Sequence, residues 1–166
     1  GCAKHGYDLK QISVQDLSYF VEPNKDEVQI FYKDLVLEID TETKFFIRAR
    51  KPFTSATALL SFVLDAKNIA FNEASESLGH NLRGSKIAQL FSLKKHDVNF
   101  PTSFVTNVSN VSNQLDRISE LIDYPMVIKQ SGSKGEKVWK CEDRPSLETL
   151  LSQLSDAEEK NILFQK

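Results

Sequence analysis

From Ser103 onward the chain switches between two hydrophobic periods in an order that few folds can hold. "SFVTN" reads as a strand introduced by Pro101, and "VSNQLDRISELIDYP" puts Leu115, Ile118, Leu121 and Ile122 on one helical stripe that stops at Pro125. "MVIKQS" and "EKVWKCED" read as two strands, "SLETLLSQLSD" as a helix capped by Ser146, and "ILFQ" as a last strand. A strand buries a face and a helix a stripe, so this β-α-β-β-α-β order stacks the helices against a sheet. It predicts a ferredoxin-like arrangement, an antiparallel four-stranded sheet with two helices on one face.

The preceding residues are patterned differently. "DLKQISV" reads as a strand, "QDLSYFVEP" as a loop or helical turn, and "EVQIFYKDLVLEID" as a hairpin, with runs 27–32 and 35–39 around Lys33-Asp34. "KFFIRAR" (44–50) reads as a strand closed by Pro52, and "NIAF" (68–71) as a short buried one. Between them "TSATALLSFVLDAK" carries Leu59, Leu60, Val63 and Leu64 at helical spacing behind a Thr/Ser cap. Strand–helix–strand order over 44–71 predicts a parallel α/β unit. "LGHNLRGSKIAQLFSLKKHD" predicts a helix over 81–96 that buries Leu82, Ile87, Leu90 and Phe91, with Arg83 and Lys86 one turn apart near its start. The fold class expected is α/β plus α+β, an α/β region over 1–80 followed by an α+β lobe over 81–166. Gly6 reads as a turn after a helix and "NILFQK" as a strand with no stop signal, so a fragment of a longer protein is expected.

Composition narrows the function classes. With 166 residues, 40% of them hydrophobic and 27% charged, the chain has the balance of a soluble globular protein. Its net charge of −2 leaves no basic excess to neutralise nucleic-acid phosphates. No run approaches the ~20 apolar residues of a membrane-spanning helix, and the first residues lack the apolar segment of a secretory signal. Cys2 and Cys141 do not make a disulfide framework. A cytoplasmic protein is expected, with no nucleic-acid or membrane partner and its oligomeric state open. His5, His80 and His96 have no ligand-like spacing, and Cys141 reads as a small buried residue. Arg48 and Arg50 alternate along one strand and point the same way, to a ligand crevice or to a solvated edge.

Positive charge gathers at "VIKQSGSKGEKVWK", where Lys129, Lys134, Lys137 and Lys140 face one acid, Glu136. Two phosphate loops are excluded by its spelling. A Walker A loop needs G-x-x-x-x-G-K-[ST] opening a helix, whereas Gly132 and Gly135 lead into the strand-like "EKVWKCE"; the dinucleotide pattern G-x-G-x-x-G is also absent. A strand–loop–strand remains, in which glycines let backbone N–H groups approach an anion and a lysine on the preceding strand adds fixed charge. A solvated hairpin with a basic surface fits the same spacing.

The ordered set "SKIAQLFSLKKHDVNFPTSFVTN", "LIDYPMVIKQSGSKGEKVWKCED" and "LLSQL…ILFQK" resembles the ATP-grasp superfamily, nearest to the ribosomal-protein-modifying and glutathione-synthetase-like ligases. The likeness covers about 80–166, and the strand–helix–strand before it looks like the pre-ATP-grasp domain. It implies that residues 81–166 are the first ATP-binding lobe, of an enzyme that joins a small-molecule or peptide carboxylate to an amine or thiol through an acyl phosphate. ATP and Mg²⁺ are the cofactors so implied, with the metal carboxylates in a second lobe beyond the hinge strand. Lys86 and Lys129 would meet the phosphates, and the loop 132–138, with Gly132, Ser133 and Gly135, would fold over them. Residues 162–166, with Gln165 and Lys166, would run beside the adenine, their backbone reading its amine edge. Two positions depart from the pattern: Lys137 stands where a glycine is usual, and Lys166 where a glutamate is. Asp156, Glu158 and Glu159 read as a polar loop, and no acidic cluster offers metal ligands. No catalytic residue is assigned, and the chain alone is expected to hold half a cleft. Two other classes stay open, a non-catalytic nucleotide-binding or regulatory module and a ferredoxin-like interaction domain.

Overall fold

In the computed structural model, residues 6, 8–25, 27–40, 42–48, 54–72, 86–130, 137–154 and 160–166 are described. They form a mixed α/β protein built on one open sheet with strand order β3-β2-β1-β4-β7-β5-β6, every neighbouring pair antiparallel. The strands are β1 (Leu17–Val21), β2 (Gln29–Tyr32), β3 (Leu35–Val36), β4 (Ser103–Asn107), β5 (Met126–Gln130), β6 (Lys137–Cys141) and β7 (Asn161–Gln165). Four helices are described: α1 (Thr54–Ala66), α2 (Lys86–Lys95), α3 (Val111–Leu121) and α4 (Arg144–Gln153). None of the described helices is long and apolar enough to cross a membrane.

The last six elements keep the expected order, β4-α3-β5-β6-α4-β7. Within them β7 lies between β4 and β5, and β5 lies between β7 and β6. Strands β4 and β5 are therefore parallel to each other with β7 inserted, and β6 and β7 with β5 inserted. Each helix spans such a gap, and both cover the same face. Val111, Ile118 and Ile122 from the α3 segment and Leu147 and Leu150 from α4 pack on Phe104, Met126, Ile128, Ile162 and Phe164. The opposite face, toward the N-terminal strands, is covered by α1 and α2. Leu59, Leu60, Val63, Leu64, Ile87, Leu90 and Phe91 pack there on Leu17, Tyr19, Ile30, Val105 and Leu163.

Four expectations need correction. "LSYFV", read as a loop or turn, is β1, an interior strand with all five residues buried. Helices or loops cover both of its faces, so the period-2 alternation that marks a half-exposed strand is erased. Its serine, Ser18, is satisfied by the Thr106 hydroxyl of β4 at 2.8 Å, with Asn110 donating to Ser18 at 3.2 Å. The strand expected just before it is instead irregular chain ending in a short 3-10 turn, Val14–Asp16. The parallel unit over 44–71 reduces to a single parallel bridge, Phe45↔Phe71. The return after α1 is too short for more: Asn68 turns left-handed at φ +54° and Ile69 N–H closes back on the Leu64 carbonyl. The Asn72 side-chain amide then pairs with both backbone groups of Ile47 in place of a further ladder residue. At α4 the N-cap is Asp143, with Ser146 as its reciprocal partner three residues on.

The hairpin at Lys33-Asp34 forms as expected, Lys33 taking φ +53° between β2 and β3. It is held from α3. The Gln114 amide and the Arg117 guanidinium both donate to the Lys33 carbonyl, at 2.7 and 3.1 Å, and Arg117 also donates to the Asp34 carbonyl at 2.6 Å. The N-terminal strands are thus joined to the later ones by the β1–β4 ladder and by this clamp.

Candidate functional site

Alternation along β5 decides which side Lys129 takes. Met126 and Ile128 point into the α3/α4 core, so Val127 and Lys129 point to the other face. On β7, Ile162 and Phe164 take the helix side and leave Leu163 and Gln165 opposite; on β4, Ser103 shares that face with Val105. The register sets Gln165 between Val127 and Ser103, with Lys129 one diagonal step away across from Leu163.

These side chains form one polar chain across three strands. Lys129 Nζ donates to Gln165 Oε1 at 2.6 Å, Gln165 Nε2 donates to Ser103 Oγ at 2.9 Å, and Ser103 Oγ donates to the Pro101 carbonyl at 2.7 Å. Gln165 is only 6% exposed and Ser103 fully buried, so each needs the partners it has. Lys129 is half-buried. Beside it on β6, the register puts Val138 opposite Lys129 and Lys140 opposite Val127, on the same face. Val138 is 57% exposed, and Lys140 pairs with Glu142 at 2.7 Å. Trp139 takes the other face, against the α3/α4 core.

The structure brings some of the expected residues together and keeps others apart. Lys129 and Gln165, 36 positions apart, are in contact. Lys86 lies in the first turn of α2, which packs over the same sheet face farther along, and its ammonium donates to Gln89 Oε1 at 3.1 Å. Lys166 does not join Lys129: its ammonium pairs with the Asp123 carboxylate, and its N–H donates to the Thr102 carbonyl at 3.2 Å. Gly132, Ser133 and Gly135 lie outside the described residues, in the segment 131–136 whose flanks are the paired Gln130 and Lys137. Cys2, His5, His80, Arg50, Arg83, Asp156, Glu158 and Glu159 also lie outside them.

The adenine expectation narrows. β7 is interior, paired with β4 on one side and β5 on the other, so the backbone groups of 162–165 are spent on the sheet. A base beside this strand would meet side chains there. Ser103 and the Pro101 carbonyl were not expected at the site; the only signal was a hydroxyl at the start of the strand, two residues after a proline. Cys141 is free and buried, and burial raises its thiol above the ordinary range. Arg48 and His96 are exposed. Among the described residues, no three His, Cys, Asp or Glu side chains gather as a metal site.

Chemically, the arrangement suits an anion. Lys129 is held by a neutral amide, so its position is set while its charge is left for a ligand. On this face Leu163, Gln165 and Ser103 are buried, and Lys129 is the half-buried cation beside them. Compared with models of protein families and with curated proteins, the chain matches none.

Proposed function

We propose that this chain supplies the first half of an ATP cleft in a ligase of ATP-grasp type, which activates a carboxylate as an acyl phosphate for attack by an amine or thiol. The carrying observation is the contact between Lys129 and Gln165 on the sheet face opposite α3 and α4. Supporting it is the pair of interleaved β-α-β crossovers, which places both helices behind the sheet and both residues in front. In this reading Lys129 binds and orients phosphate oxygens as a point charge. Lys86 adds a second charge from α2, and Val138 offers an apolar surface beside them. ATP supplies the transferable phosphoryl group, with Mg²⁺ offsetting its charge. No three His, Cys, Asp or Glu side chains gather among the described residues, so this lobe is given no Mg²⁺ ligand. Positioning by the fixed cation is this lobe's contribution to the rate.

Lys129→Ala tests the reading. Titration calorimetry should show ATP affinity falling by about tenfold or more, because one charge-assisted contact is worth roughly 1.5–3 kcal/mol. Equal affinity of the variant and the parent protein would refute the assignment.

A further inference from the structure

Each hydrogen bond in the chain from Lys129 to Pro101 has only one possible sense. The Pro101 carbonyl can only accept, so the Ser103 hydroxyl spends its proton there and offers lone pairs to Gln165. The Gln165 amide must then turn its NH₂ toward Ser103 and its oxygen toward Lys129. A flipped amide would put two donors against the lysine ammonium and leave the carboxamide oxygen facing the serine oxygen. The orientation of a nearly buried side chain is thereby set by a proline carbonyl two strands away from the lysine.

We infer that Gln165 is a positioning residue, a neutral tether that aims the Lys129 ammonium at the phosphates of a nucleoside di- or triphosphate without cancelling its charge. The inference rests on the nucleotide reading above and assigns Gln165 a role different from lining the adenine. A carboxylate here would fit the same space and accept the same bond, yet it would form an ion pair and compete with the ligand for the cation. The amide keeps the geometry and leaves the charge. The lysine then has donors to spare: an ammonium carries three, and Gln165 takes one.

The test compares ADP with adenosine on the parent protein, Gln165→Glu, Ser103→Ala and Lys129→Ala, with melting curves for each. Gln165→Glu should weaken ADP by about tenfold or more while leaving adenosine unchanged, because the added charge acts only on an anionic ligand. Ser103→Ala removes what orients the amide and should weaken ADP several-fold, again sparing adenosine; it decides the matter if Gln165→Glu does not fold. A purely structural role predicts equal losses for both ligands, tracking the fall in melting temperature, and would overturn the inference. If Lys129→Ala abolishes ADP binding while Gln165→Glu and Ser103→Ala bind ADP like the parent, the tether is refuted and the nucleotide cleft stands. If the parent binds ADP no more tightly than Lys129→Ala does, the cleft fails and the tether fails with it.

Discussion

Arg117→Ala should loosen the β2–β3 hairpin and cost about 2 kcal/mol. The guanidinium donates to the carbonyls of Lys33 and Asp34 at 3.1 and 2.6 Å and to Gln114 Oε1 at 3.2 Å, and lies 4.4 Å from the Phe31 ring centroid. Each bond to an exposed turn carbonyl contributes about 0.5–1 kcal/mol net, since water can replace the donor once the side chain is cut back. The contact over Phe31 adds roughly 0.5–1 kcal/mol at a partly exposed site. For a chain of this size, that loss lowers Tm by about 4–8 °C. Urea unfolding followed by circular dichroism gives the free energy, and hydrogen exchange locates it: amides of 29–36 should exchange faster than those of β5 and β7. Arg117→Lys keeps a cation over Phe31 but loses the planar fork, and should recover roughly half. Gln114→Ala should be partly redundant with Arg117→Ala, because both side chains serve the Lys33 carbonyl. A loss below about 0.5 kcal/mol, the range of ordinary surface substitutions, would refute the clamp.

Asp97→Gly should raise the urea midpoint by the equivalent of about 0.5 kcal/mol. Asp97 closes α2 at φ +54°, where its N–H reaches the Lys94 carbonyl and Val98 N–H the Leu93 carbonyl, and glycine takes that conformation without a Cβ penalty; a lower midpoint contradicts this. Tyr19→Phe should be neutral or stabilising by about 1 kcal/mol at pH 7, because the Tyr19 hydroxyl is buried without a partner among the described residues. Burial also raises the Tyr19 pKa, so above about pH 10 the unfolded chain releases a proton that the folded one keeps, and stability falls as pH rises. The Phe variant should lack this contribution to the alkaline decline; equal declines from pH 9 to 11 in urea titrations would show that the phenol is not held protonated.

Much of the secondary structure could be read locally. The stripes of Leu59, Leu60, Val63 and Leu64, and of Ile87, Leu90 and Phe91, found their helices because a 3.6-residue period survives wherever one face is buried. The Lys33-Asp34 hairpin was visible for the same reason, since β2 alternates in part. β1 was not visible, because a strand covered on both faces has no period to display, and "LSYFV" sits between Asp16 and Pro23 like a loop. Gln114 was likewise unread: it is 1% exposed, a polar residue in the buried stripe between Val111 and Ile118, bonded to a hairpin 81 residues away.

The site divides along the same line. That Lys129 interrupts an apolar run and must face away from the Met126 and Ile128 core follows from a period of two and nothing else. What it faces does not. Whether its neighbour would be Gln165, Ser103 or a carboxylate depended on β7 inserting between β4 and β5, a pairing of segments tens of residues apart. By itself, then, the sequence determined the helices, the last six elements with their order, and the cation carried on β5, because those depend on neighbours along the chain. Only the tertiary structure decided the strand order, the polar chain from Lys129 to Pro101 and the spent backbone of β7, because hydrogen bonds between strands are made across distances that local pattern does not encode.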